Sequence, residues 1–145
     1  MPQATRWRVL LVDDEDVLLQ SMSAVLEDDF EVVVASDGAR ALERIEEQPF
    51  DVVCSDYKMP RMDGLELLRR LRERAIDVGF VLVTGMRDYK LATQPDGDQF
   101  HCVLLKPCDP AQLIESIQRA ATFAQMRRAV DAAQTASSRL RKRGA

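Results

Sequence analysis

The chain has 145 residues, of which 46% are apolar and 30% charged, a balance that fits one ordinary domain with a packed core and perhaps a short appendage. No apolar stretch approaches the roughly 20 residues of a membrane span, and the first apolar run stops after about five residues, too short for a secretory signal, so a cytoplasmic protein is expected. The formal net charge of −4 divides unevenly: residues 119–145 carry +6 and the rest −10, an acidic body with a basic end.

Short runs rich in Val and Leu recur along the chain at Trp7–Val12, Phe30–Ala35, Asp51–Ser55, Gly79–Thr84 and Cys102–Lys106. Runs of this length with almost no polar alternation read as strands buried on both faces. Between them lie segments with helical spacing. Val17, Leu18, Met22, Val25 and Leu26 mark the first. The second holds Ala39, Leu42 and Ile45, opened by "SDG" and closed by Pro49. The third, "GLELLRRLRERA", sets Leu65, Leu68 and Leu71 on one face. Strand and helix alternate, which predicts an α/β fold with a parallel sheet covered on both sides. The fourth connection breaks the pattern, because "TQPDGDQ" carries a turn signal and few large aliphatics. A short or partly unwound element is expected there, one that orders on activation.

The last helix is predicted to begin at "DPAQLIES", with Asp109 as N-cap and Pro110 in the first helical position. Nothing from Ala111 to Ser138 is Pro or Gly, so the helix can run well past the body. Phe123, Met126, Val130, Ala133, Ser137 and Leu140 step by three and four, a stripe suited either to frayed solvent exposure or to a partner helix, including a homodimer. The expected division is a domain over residues 1–126 and a basic helical extension over 127–145.

The three cysteines, Cys54, Cys102 and Cys108, lack paired metal-ligand spacing, and His101 is the single histidine. Cys54 and Cys102 lie within apolar runs and read as buried free thiols.

The polar residues carry the chemistry. Asp13 and Asp14 follow the first strand, Asp56 the third, Thr84 ends the fourth and Lys106 the fifth. In an open parallel sheet all strand carboxyl ends point to one edge, where ligands bind. Three carboxylates there make an oxygen pocket suited to Mg2+. A lysine and a hydroxyl beside it suit the oxygens of a phosphoryl group. Asp13 and Asp14 are paired and read as ion ligands; Asp56 stands alone and reads as the nucleophile that forms an aspartyl phosphate. Taken singly, Asp13 would also serve as a helix cap, Thr84 as a strand-end hydroxyl and Lys106 as a surface charge.

The motifs "VDDE" (Val12–Glu15), "DYKMPRMDG" (Asp56–Gly64), "VTG" (Val83–Gly85) and "LKP" (Leu105–Pro107), in this order, resemble the receiver domain of bacterial two-component response regulators over roughly Arg6 to Met126. The resemblance implies a flavodoxin-like doubly wound sheet of five parallel strands in the order 2-1-3-4-5, with helices on both faces and an extended C-terminal helix. It implies that Asp56 accepts a phosphoryl group from the phosphohistidine of a sensor histidine kinase or phosphotransfer protein, and that the altered surface controls a downstream protein or output domain. By the same resemblance Asp14 binds Mg2+ directly, Asp13 largely through water, and the Lys58 carbonyl is a further ligand. Lys106 pairs with the phosphoryl oxygens through a cis Lys106-Pro107 peptide, and the Thr84 hydroxyl swings to one of those oxygens. The "MDG" segment reads as the turn after the site, with Gly64 supplying backbone freedom. Val103 stands where the family often has an aromatic partner for the switch threonine, which puts that coupling in doubt. Such a chain is a switch that catalyses only its own phosphorylation and dephosphorylation. Two other readings compete: a Mg2+-dependent phosphohydrolase, and nucleic-acid binding through "RLRKRGA", which the acidic body and the lack of a helix-turn-helix signal disfavour.

Overall fold

A computed structural model describes residues 6–88 and 102–143. Five strands, β1 (Arg8–Val12), β2 (Glu31–Ala35), β3 (Val52–Asp56), β4 (Gly79–Thr84) and β5 (Cys102–Leu105), form one parallel sheet in the order β2-β1-β3-β4-β5. Helices α1 (Asp16–Leu26), α2 (Gly38–Glu47) and α3 (Gly64–Glu73) and a 34-residue C-terminal helix (Pro110–Arg143) cover it. The doubly wound architecture is the one the alternation predicts.

Successive side chains of a strand point to opposite faces, and the core divides accordingly. Leu10, Val12, Val53, Phe80 and Leu82 pack with Leu42 and Ile45 of α2 and with Leu67, Leu68 and Leu71 of α3. Val9, Leu11, Val52, Cys54, Val81 and Val83 pack on the other face with Leu19 and Leu26 of α1 and Leu113, Ile117 and Ala121 of the C-terminal helix. Each fully buried Val, Leu, Ile or Phe among these stabilises the fold by about 1.5–3 kcal/mol relative to exposure. Strands β1, β3 and β4 are buried on both faces as expected. The edge strands β2 and β5 are not: among the described residues no further strand pairs beyond them, and most of their positions are exposed or half-buried.

Local sequence explains the helix ends. Asp37 accepts a hydrogen bond from the Arg40 N–H at 2.8 Å and Asp63 one from the Glu66 N–H at 2.8 Å, so both N-caps hold an otherwise orphan donor. Asp109 likewise accepts from the Ala111 N–H at 3.2 Å, at the start expected for the last helix. On α1 the buried line is Leu19 and Leu26 with Met22 half-buried, and Val17 is 83% exposed. The helix carries more apolar residues than one sheet-facing line can hide, so of the expected stripe Met22 and Leu26 face the core while Val17, Leu18 and Val25 are exposed.

Two glycines set distances. A Cβ on Gly79 would stand 2.6 Å from the backbone oxygen of Ala120, so Gly79 lets the C-terminal helix lie close against β4. A Cβ on Gly64 would stand 2.7 Å from the Asp56 carbonyl oxygen, and the backbone of Gly64 has no positive φ. Close approach, and not the conformational freedom expected of it, is what Gly64 provides. The last buried residue of the C-terminal helix is Ala124. Just beyond it Arg127 pairs with Asp77, and Arg128 reaches Asp51 at 3.4 Å.

No helix among the described residues is long and apolar enough to cross a membrane. Cys54 is buried and free, while Cys102 and Cys108 are free and half-buried, a correction for Cys102 that follows from its place on an edge strand. Met86–Asp88 are helical. The rest of the fourth connection, including the turn at "PDG" and most of the segment expected to order on activation, lies outside the described residues.

Candidate functional site

Parallel register brings the polar strand ends together. Val12 aligns with Ser55, Asp56 with Val83 and Thr84 with Leu105, so Asp13, Asp56, Thr84 and Lys106 meet at the carboxyl edge of the sheet. Backbone hydrogen bonds hold this edge: the Tyr57 N–H donates to the Val83 carbonyl at 2.8 Å, the Lys106 N–H to the Thr84 carbonyl at 2.7 Å and the Gly64 N–H to the Tyr57 carbonyl at 2.8 Å. Asp56 is the last residue of β3 and not the first of the loop, so its backbone is fixed by the sheet.

One carboxylate oxygen from each of Asp13, Asp14 and Asp56 lies within 4.8 Å of the others. Asp13 and Asp56 are 3% and 8% exposed, whereas Asp14 faces solvent. The Lys106 Nζ sits 3.0 Å from Asp56 Oδ1. Three acids against one lysine leave negative charge in a place where desolvation is costly. Burial is the main reason that Asp13 and Asp56 both lie above the usual carboxylate range; the Glu15 N–H, 3.0 Å from Asp13 Oδ1, and the Lys106 ammonium pull in the other direction. On Lys106 burial acts downward, but its hydrogen bond to Asp56 and the charges of Asp56, Asp13 and Glu15 outweigh it and raise the ammonium above its ordinary value.

An open cleft of about 650 Å³ lies over these groups, lined among others by Asp14, Asp56, Lys58, Thr84, Gly85 and Lys106. Asp13 is buried and does not line the cleft, though its carboxylate lies within 4.8 Å of those of Asp14 and Asp56, which do. The donor set fits a hard divalent cation: all oxygen, three carboxylates of which two are buried, with an open side for water. Lys58 is at the rim, where its backbone belongs to the same loop as Met59 and Pro60. The Thr84 hydroxyl donates to the Gly85 carbonyl at 3.3 Å, a long bond that leaves it able to turn. Lys106-Pro107 is cis. A Cβ on Gly85 would meet nothing within 4 Å, so the mouth of the cleft is open there.

All the site residues expected from the sequence, Asp13, Asp14, Asp56, Lys58, Thr84 and Lys106, thus converge on one place. Two charged cleft residues carried no expected role. Glu15 lines the cleft and acts on Lys106; its place beside the paired aspartates was the available signal. Asp88 also lines it, and no motif pointed there because its approach depends on how the chain turns after Gly85. Val103 aligns with Leu82 and packs against the α2–α3 side of the core.

A family model, the response regulator receiver domain, matches residues 9–118. The chain is 33% identical over 113 residues to the response regulator receiver protein CpdR of Brucella abortus (strain 2308), covering 77% of this chain and 94% of that one. It is 32% identical over 118 residues to the uncharacterized transcriptional regulatory protein YesN of Bacillus subtilis (strain 168), covering 77% of this chain but 32% of YesN, so it spans about a third of that relative. The crystal structure of a response regulator receiver domain protein from Clostridium thermocellum matches with a TM-score of 0.77 at 28% identity, over 83% of this chain and 98% of that one.

Proposed function

The chain belongs to the response regulator receiver domain family, and from that premise we propose that it is a phosphorylatable switch whose acceptor is Asp56. A carboxylate oxygen of Asp56 attacks phosphorus, the phosphorus–nitrogen bond of a donor phosphohistidine breaks, and the electron pair stays on the departing imidazole. Asp13, Asp14 and Asp56, with the Lys58 carbonyl, would hold Mg2+, which when bound supplies positive charge for the phosphoryl oxygens. Lys106 is paired with the attacking carboxylate beforehand and passes to a phosphoryl oxygen as the bond forms, so its charge is never left alone in the cleft. The Thr84 hydroxyl gives up its long bond to the Gly85 carbonyl and turns to another phosphoryl oxygen. Catalysis here is confined to the chain's own modification, and the fitting partners are a sensor histidine kinase or phosphotransfer protein upstream and a protein target or output domain downstream.

The observation that supports this reading best is the 3.0 Å pair of Lys106 and Asp56 inside a cluster of acids at an open cleft. A structural ion pair would not need two further carboxylates against it. The test is intact-mass measurement after incubation with a small acyl phosphate and Mg2+. Wild type is expected to gain one phosphoryl group, and Asp56→Asn none. Equal labelling of the two, or release of inorganic phosphate over many turnovers without a labelled protein, would refute the assignment.

A further inference from the structure

Ser55 is a buried polar group to which the chemistry above gives no part. Its row-mates across the sheet are Val12 on β1 and Leu82 on β4, which are 1% and 0% exposed, and Ser55 itself is 0% exposed. A hydroxyl in such apolar company costs free energy unless it is hydrogen-bonded, and an alanine would fill the place at no polar cost. The Ser55 Oγ donates to the Asp56 carbonyl oxygen at 2.9 Å. That carbonyl and the Tyr57 N–H belong to one rigid peptide plane, and the N–H donates to the Val83 carbonyl at 2.8 Å. The plane next to the acceptor carboxylate is thus held at both of its polar ends. One plane further on, the Tyr57 carbonyl accepts from the Gly64 N–H at 2.8 Å.

We infer that Ser55 is a positioning residue: its hydroxyl fixes the direction in which the Asp56 carboxylate and, two residues on, the Lys58 carbonyl face the cleft. The inference rests on the reading of Asp56 as the acceptor. The rotations on either side of the clamped plane are ψ of Asp56 and φ of Tyr57, and holding the plane fixes both. The sheet holds Asp56 on its amino side, as the last residue of β3, and the clamped plane holds it on its carboxyl side, so the Cα–Cβ bond has one direction. The Val83 contact alone would leave the plane free to rock about a single hydrogen bond; the hydroxyl is the second point. Both the 3.0 Å pair with Lys106 and the grouping of Asp56 with Asp13 and Asp14 depend on that direction. An error of about 1 Å in placing reacting groups can cost about a hundredfold in rate, so freeing this plane to shift by a few tenths of that distance is expected to cost about three- to tenfold.

The test compares Ser55→Ala, Ser55→Cys and Ser55→Thr with wild type, each as the full chain. Ser55→Ala is expected to lower the maximal rate of labelling by an acyl phosphate at saturating Mg2+ about three- to tenfold, with the donor concentration at half-maximal rate unchanged. Mg2+ binding should weaken by a similar factor in calorimetry, a readout that does not depend on labelling. Ser55→Cys fills the space but donates only weakly, and should be as slow as Ser55→Ala. Ser55→Thr keeps the hydroxyl and should recover most of the rate; if its extra methyl lowers the urea midpoint, the Ala and Cys pair decides. Wild-type rate and Mg2+ affinity in Ser55→Ala, or rates that follow the urea midpoints instead of the hydroxyl, overturn the positioning role and leave the acceptor assignment standing. Failure of the acceptor assignment shows separately, as equal labelling of wild type and Asp56→Asn.

Discussion

Replacing Asp13 by Asn tests whether the acid cluster is a site held for a cation, because the substitution should stabilise the protein without metal and blunt its response to metal. The carboxylate oxygens of Asp13 and Asp56 are at most 4.8 Å apart and both groups are nearly inaccessible to water. At an effective dielectric constant of about 20 that pair repels by roughly 3 kcal/mol. Asn keeps the Oδ1 that accepts the Glu15 N–H and removes the charge. Against this stands the lost attraction to Lys106 across the cluster, so a net gain of about 1–3 kcal/mol is expected in chelator at pH 7, or roughly 3–10 °C in Tm for a chain of this size. The pH dependence carries the same sign. Because burial raises the folded pKa of Asp13 and Asp56 above 3.8, the folded protein holds more protons than the unfolded chain just above that value. Stability without metal therefore falls as pH rises from about 4 through the folded values, and the penalty is fully present above them. Thermal denaturation in chelator from pH 4 to 8, repeated with saturating Mg2+, reads both effects. Wild type should gain the larger stabilisation from Mg2+. An Asp13→Asn variant less stable than wild type in chelator, or an equal gain from Mg2+ in both proteins, would refute the reasoning.

Two further outcomes are expected. Gly79→Ala places a Cβ against the backbone of Ala120, and neither backbone can yield cheaply, so a loss of about 1–3 kcal/mol should appear in urea denaturation while labelling of Asp56 by a small donor is retained. Val17 is 83% exposed two residues after Glu15 at the cleft rim, which makes it a contact for a large phosphodonor but not for a small one. Val17→Arg should slow phosphoryl transfer from a cognate kinase about tenfold or more and leave labelling by an acyl phosphate unchanged, both read by intact mass.

How much of this was legible beforehand depends on what each residue costs if misplaced. Asp13, Asp56 and Lys106 were readable because charges directly after apolar strands are expensive unless they meet a partner, and parallel topology sends all strand ends to one edge. The strand order came with the family resemblance, since the apolar runs themselves do not say which strand neighbours which. The buried face of α1 was misread at Val17, because spacing alone cannot choose between overlapping apolar stripes and only the sheet decides. Edge and central strands have equally apolar sequences, so the exposure of β2 and β5 is a property of position in the sheet. Gly64 was read as supplying backbone freedom to a turn, whereas what it provides, room for a Cβ position only 2.7 Å from the Asp56 carbonyl oxygen, is a tertiary contact that the local sequence does not show.

The same contacts limit what kind of signal the site can send. Lys106 remains protonated through the physiological range, because the charges around it raise a pKa that already starts near 10.5. Its charge thus cannot be the quantity that changes; under the phosphorylation proposed above its partner would change instead, from the Asp56 carboxylate to a phosphoryl oxygen farther out along the same side chain. Lys106 is tied by its N–H to the Thr84 carbonyl and stands four residues before the C-terminal helix begins at Pro110. On that proposal Thr84 and Lys106 would respond to one event, Thr84 from the end of β4 and Lys106 from just after β5. Any movement they pass on begins on the β4–β5 side of the sheet, against which the first turns of the C-terminal helix are packed.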